Sequence, residues 1–224
     1  MNIMIIGGGA REHALAWKIR QSPLTDHMFI TPGNAGTMKI ADPLTIAADD
    51  IQGLAAAASQ LAIDLTVVGP EAPLANGIVD YFQERELSIL GPTKNAAQIE
   101  CSKSFAKDIM QRYSIPCGWS KMFDSSSKAR AFIEKADLPL VVKANGLAAG
   151  KGVVIATDKQ DAYKAVTDLM DLKVLGEAGE LVLIEEYLEG QEVSVFCFSD
   201  GEHISPLVAA CDYKRAYDGD NGPN

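Results

Sequence analysis

Four short apolar runs in the first 93 residues each stop at a turn made of glycine and proline, and this punctuation leaves few folds open. Asn2 to Ile6 enters Gly7-Gly8-Gly9, and His27 to Thr31 ends in Pro32-Gly33-Asn34-Ala35-Gly36. Asp64 to Val68 stops at Gly69-Pro70-Glu71, and Leu87 to Leu90 at Gly91-Pro92-Thr93. Between them, Arg11 to Gln21, Asp49 to Leu61 and Leu74 to Arg85 have helical character. Buried-type strands alternating with helices predict a parallel open sheet, whose ligands bind beyond the carboxyl ends of the strands, where these turns lie.

Two further helices are expected over Asn95 to Cys101 and Ser102 to Tyr113, with Ser102 as cap. Ile115-Pro116 ends the second, and a domain boundary is expected there. Beyond it a helix over Ser125 to Lys135, strands over Leu138 to Lys143 and Gly152 to Thr157, a helix over Lys159 to Asp171, and strands over Leu181 to Glu186 and Glu192 to Ser199 describe a smaller α+β unit. The final "CDYKRAYDGDNGPN" is too polar and turn-rich to close a packed sheet, so either a truncated polypeptide or a disordered tail is expected there.

Composition narrows the function classes. Thirty acidic against 20 basic residues give a net charge of -10, which repels nucleic acid while leaving room for a local cationic pocket that takes small phosphates. Four cysteines without any C-x-x-C suggest neither a zinc site nor a redox pair. No apolar run nears the roughly 20 residues of a membrane span, and the amino terminus has no signal-peptide pattern. A cytoplasmic protein with no membrane partner is expected.

"KANGLAAGKGVVIA", Lys143 to Ala156, looks like a phosphate loop but is not a Walker A motif. Gly146-Leu-Ala-Ala-Gly150-Lys151-Gly152 is one spacer short, has glycine where the metal-binding hydroxyl belongs, and continues into a β-branched run. It reads as strand, glycine-rich turn, strand: a nucleotide-binding hairpin. The first turn also fails as a dinucleotide fingerprint. Glu12 stands at the third glycine, and the second strand ends at Thr31-Pro32 without an acidic residue for a ribose. A turn that binds some other phosphate with help from Arg11, or a merely structural turn, are the two readings left.

Three lysines stand where a triphosphate could use them: Lys103 at a helix start, Lys143 at a strand end and Lys151 at the hairpin tip. Downstream, Glu185-Glu186-Tyr187-Leu188 leaves a buried-type strand before Gly190 and Glu192. Backbone groups leaving a strand can read an adenine edge while a carboxylate takes ribose hydroxyls; an acidic hairpin turn is the alternative.

Together the lysine-ended strand, the glycine hairpin and E-E-Y-L-x-G-x-E resemble the ATP-grasp superfamily. Within it, "GGGAREHALAWK", "PGNAGT", "VGPEAPL", "GPTKNAAQIECSKSFAK", "KANGLAAGKGVV", "IEEYLEGQEVSV" and "DYKRAYDGDNGPN" are similar to the glycinamide ribonucleotide synthetase (phosphoribosylamine-glycine ligase) family over essentially the whole chain. Two departures stand out. Asparagine is usual where Gly8 stands, and the family sequence continues well past "GPN" to supply its magnesium-binding glutamate and asparagine. The chain therefore resembles the amino-terminal half.

The resemblance implies an α/β fold: a Rossmann-like, pre-ATP-grasp domain over 1–101 that binds substrate, and a linker helix over 102–117. The small ATP-grasp subdomain, the lid, would cover 118–189, and the start of the large subdomain 190–224. It implies an ATP-dependent ligase of de novo purine biosynthesis that joins glycine to 5-phosphoribosylamine through glycyl phosphate, with Mg2+ or Mn2+ held by residues beyond Asn224. The isolated polypeptide would be incomplete for catalysis.

Lys103, Lys143, Gly146, Gly150, Lys151 and Gly152 would hold nucleotide phosphates. Glu185, Glu186, Tyr187 and Leu188 would read adenine, and Glu192 the ribose. Gly8, Gly9, Arg11, Asn34, Gly36 and Glu71 would face phosphoribosylamine. Asp212, Lys214, Arg215 and Asn224 would meet glycine or, with Lys151, the transferring phosphoryl group. His13 and His203 are expected to be structural, and Asn145 to Lys151 to be mobile without nucleotide. The alternatives are another ATP-grasp carboxylate-amine ligase or carboxylase of purine metabolism, and a non-catalytic nucleotide-binding fragment.

Overall fold

The computed structural model describes residues 1–146, 152–205, 208–211 and 217–219. The chain divides into two units, Met1–Glu186 and Tyr187–Asn224.

The first unit opens with a five-stranded parallel sheet. Its strands are β1 (Asn2–Gly7), β2 (His27–Pro32), β3 (Asp42–Pro43), β4 (Leu65–Val68) and β5 (Ile89–Leu90), in the order β3-β2-β1-β4-β5. β1 is central because both of its faces are apolar. Ile3 and Ile5 pack with Ala16, Met28 and Ile30, while Met4 and Ile6 pack with Leu54, Ile78 and Phe82 on the other side.

Helices α1 (Ala10–Ile19), α2 (Ile51–Gln60), α3 (Glu71–Ala75), α4 (Ile78–Gln83), α5 (Lys94–Cys101) and α6 (Lys103–Arg112) follow in chain order. The single helix expected over Leu74 to Arg85 is broken in two, because Gly77 turns the backbone to a φ of 89°. Asp50, Thr93 and Ser102 cap α2, α5 and α6 through their side-chain oxygens. No residue of α6 is buried.

A second, antiparallel sheet completes the unit. It consists of β6 (Ser120–Phe123), β7 (Leu140–Ala144), β8 (Val153–Ala156) and β9 (Val182–Glu186), ordered β6-β9-β7-β8. Leu140, Val142, Ala144, Val182 and Ile184 turn one face toward α7 (Ser126–Ile133) and α8 (Lys159–Val166). The two-residue period therefore sends Val141, Lys143, Leu183 and Glu185 to the opposite face. The helix expected over Lys159 to Asp171 holds, its last turn widening to a π-turn over Thr167–Asp171.

Among its described residues, the second unit contains one antiparallel pair, β10 (Ser194–Phe196) with β11 (Val208–Ala210), and an isolated bridge between Ser199 and Ile204. Val195, Phe196, Phe198 and Val208 are exposed. The strand expected over Glu192 to Ser199 is thus confined to three residues.

Candidate functional site

At the carboxyl end of β1 the chain turns into α1 around a buried carboxylate. Glu12, 4% exposed, accepts the Gly9 N–H at 2.6 Å, satisfying a donor that the helix start leaves free. A Cβ placed on Gly7 or Gly69 would lie 2.5 or 2.0 Å from the Glu12 side chain, so glycine is required at both. Glu12 does not face a ligand from a vacated glycine position. It points inward and closes the turn.

The neighbouring turn is knitted to this one. Asn34 donates from Nδ2 to the Gly8 and Gly9 carbonyls at 3.0 and 3.3 Å, while its Oδ1 accepts from the Gly36 and Thr37 amides. A Cβ on Gly8 would come within 2.7 Å of the Gly33 carbonyl, and one on Gly36 within 2.4 Å of the His13 ring. Gly8, Gly9, Asn34 and Gly36 therefore meet in one corner, with His13 as packing. Beside it Arg11 donates to the Gly69 carbonyl at 2.8 Å and to Glu71 at 2.9 Å. That carboxylate raises the Arg11 pKa. Glu71 is held below the usual carboxylate range by a backbone hydrogen bond and then by Arg11.

Arg11 and Glu71 form one wall of a cavity of about 990 Å³. Glu100, Lys103 and Lys107 come from α5 and α6, Lys143 and Glu185 from the second sheet, and Gly152 from just before β8. Four cations thus face three carboxylates in a chain whose overall charge is -10.

Lys103, in the first turn of α6, donates to the Gly146 and Asn145 carbonyls at 3.1 and 3.4 Å. Asn145 also accepts the Ser104 N–H at 2.9 Å, fastening the helix start to the end of β7. Burial, then the charge of Lys143, lowers the Lys103 pKa. One helical turn on, Lys107 lies 3.3 Å from Glu185 Oε2 and from the Gly118 carbonyl. Lys143 pairs with Glu185 Oε1. Glu185, 8% exposed, is a shared counter-ion for two lysines from different elements.

Lys103, Lys143, Gly152 and Glu185 are therefore brought together. Gly146 adjoins them through its carbonyl. Glu186 faces elsewhere: its carboxylate accepts the Trp119 N–H at 3.1 Å, and its own N–H donates to the Trp119 carbonyl. Tyr187, Leu188 and Glu192 belong to the second unit, where Leu188 is exposed and His203 pairs with Asp200. Gly150, Lys151, Asp212, Lys214, Arg215, Asn224 and most of the expected mobile loop lie outside the described residues.

Sequence reasoning missed Lys107 and Glu100. The signal for Lys107 was its spacing: four residues after Lys103, it shares a helix face with that lysine. Among the described residues no group of three His, Cys, Asp or Glu could hold a metal ion, and no helix is long and apolar enough to cross a membrane.

A cavity with excess cation charge and fixed donors is suited to holding a polyanion and neutralising charge that develops on it. The family model for the N domain of phosphoribosylglycinamide synthetase matches residues 1–100, and that for its ATP-grasp (A) domain matches 101–224. A phosphoribosylamine-glycine ligase of Halalkalibacterium halodurans is 48% identical over 224 residues, covering 100% of this chain and 52% of the relative. The crystal structure of phosphoribosylamine-glycine ligase from Thermotoga maritima superposes with a TM-score of 0.83 at 29% identity, over 100% of this chain and 53% of that one.

A Campylobacter jejuni biotin carboxylase solved with β,γ-ATP shares the fold, with a TM-score of 0.69 at 17% identity over 91% of this chain and 49% of that one. The chain spans about half the length of the curated relatives it matches. With two contiguous family models covering it from end to end, the chain belongs to the phosphoribosylglycinamide synthetase family.

Proposed function

We propose that the chain supplies the nucleotide and amine sites of an ATP-dependent C–N ligase that joins glycine to 5-phosphoribosylamine, giving glycinamide ribonucleotide, ADP and phosphate. The observation that carries this reading is the convergence of Lys103, Lys107 and Lys143 around buried Glu185, in a cavity that also reaches Arg11 and Glu71. Its volume and donor set suit a nucleoside triphosphate.

Glycine's carboxylate is a poor electrophile until it is phosphorylated. Its oxygen attacks the γ-phosphorus, ADP leaves, and the resulting glycyl phosphate is attacked at its carbonyl carbon by the amine, expelling phosphate. Two anions must approach in the first step, and Lys103 and Lys143 neutralise them. Glu185 keeps Lys143 and Lys107 aimed at the cavity. The corner of Gly8, Gly9, Asn34 and Gly36, with Arg11 and Glu71, receives the phosphoribosyl group.

Lys151, Gly150, Asp212, Lys214, Arg215 and Asn224 retain their sequence-based roles at the phosphates and glycine, and Glu186 to Leu188 and Glu192 theirs at adenine and ribose. The reading divides the chain at 101, 117 and 189; the family-model bounds, 1–100 and 101–224, support the first of these. Mg2+ or Mn2+ would accompany ATP, but the described residues do not form a site for it. The expected location is the cytoplasm, with small molecules as the only substrates.

The test is ADP release by the protein at its natural length with glycine and freshly made 5-phosphoribosylamine. Labelled oxygen from glycine's carboxylate should appear in the released phosphate. ADP release driven by bicarbonate without that label would instead mark a carboxylase.

A further inference from the structure

Three carboxylates line the cavity, and two are already paired. Glu71 is bound by Arg11, and Glu185 is shared by Lys107 and Lys143. Glu100, in the last turn of α5, has no ion-pair partner among the described residues. Its charge nevertheless reaches Arg11 on one side and Lys103 on the other, as well as the adjacent Cys101 thiol. It lines the same cavity as Arg11, of the corner proposed for the phosphoribosyl group, and as the lysines proposed for the nucleotide.

The second half-reaction needs a group of this kind at this place. An amine that attacks an acyl phosphate carries a positive charge in the tetrahedral adduct and is expelled again unless its nitrogen loses a proton. A carboxylate neutralised by a lysine or arginine is a weak acceptor, and an unpaired one is a better acceptor.

We propose that Glu100 takes the proton from the attacking amine. The proposal rests on the ligase reading and adds a residue to it. The C–N bond forms with the amine's electron pair, the C–O bond to phosphate breaks with its pair leaving on phosphate, and the amine proton passes to Glu100 and then to solvent. The charged groups that line the same cavity as Glu100 are Arg11 from α1, Glu71 from α3, Lys103 and Lys107 from α6, and Lys143 and Glu185 from the sheet. From α4, Asp80 is engaged with the Lys94 N–H at the far end of α5.

The test separates the two half-reactions in the protein at its natural length. Glycine-dependent positional isotope exchange within ATP, measured without amine, reports only the phosphorylation step. In E100Q this exchange should be unchanged while kcat/KM for 5-phosphoribosylamine falls by about 100-fold or more and rises with hydroxide concentration. Formate added to E100A should restore part of the amine-dependent turnover. Undiminished amine turnover in E100Q, or equal loss of both half-reactions without formate rescue, overturns the role of Glu100 alone. Absence of the exchange in the unmutated protein overturns the ligase reading and this proposal with it.

Discussion

Glu12 and Glu185 are both carboxylates removed from water, yet they are satisfied in opposite ways. Glu12 is held by a backbone amide of its own turn and hemmed by glycines whose missing side chains leave it room. Glu185 is held by two lysine side chains, each from a different element and each long enough to swing. A carboxylate fixed by main chain is part of the architecture. A carboxylate paired with flexible cations is one half of a site, because an incoming anion can claim the same cations without disturbing the backbone.

The contrast can be broken at either glutamate. The largest effect expected is on folding: Glu12→Ala removes a buried side chain and the charged acceptor of the Gly9 N–H, and should cost about 3 kcal/mol, read as a lower urea midpoint at unchanged slope. A variant as stable as the parent would show that the turn holds without its carboxylate. Next, Lys143→Ala should weaken ATP binding by about 10- to 100-fold, the loss of one charge-assisted bond, while the melting temperature barely moves. The reverse pattern, intact binding and lost stability, would put Glu185 in the same class as Glu12.

A smaller change comes from Ser102→Ala, which removes the cap of the helix that carries Lys103 and Lys107. It should lower stability by about 1 kcal/mol and weaken nucleotide binding in step; binding that stays constant would separate the lysines from the helix start.

Acidification should have the smallest effect. Glu71 is held below its ordinary range in the folded protein. Its contribution is therefore complete above the unfolded value of about 4.3 and is lost as pH falls through the lower folded value. Because Glu71 is 40% exposed, only a slight extra loss of stability in that window is expected, absent from Glu71→Gln. A Glu71→Gln curve parallel to that of the parent would deny the pair any part in it.

How far the sequence led depends on what marked each element. β1, β2, β4 and β5 end at or just before glycine or proline, and the apolar runs of β1, β2 and β4 state their burial, so the parallel sheet was legible; β5 is half-buried at Ile89 and exposed at Leu90. β3 is two exposed residues, Asp42 and Pro43, and offers no pattern to find. β6 is only half-buried, and its Ser-Lys-Met-Phe run does not stand out from a linker. In the site, Lys103, Lys143 and Glu185 were visible because each borders a recognisable cap, strand or turn. Glu100 and Lys107 lie within helices, and only the assembled cavity shows that they look inward. Glu12 was read only as the break in a glycine pattern, and its role as a helix-start acceptor, three residues after Gly9, went unread.

Helix α6 has no residue sealed from solvent, and two of its positive side chains stack one turn apart. Its apolar side chains, Phe105, Ile109 and Met110, are only half-buried, so its amides should exchange with deuterium sooner than those of β1 or β9. Added polyphosphate should slow that exchange, making this helix the part of the molecule whose breathing reports occupancy.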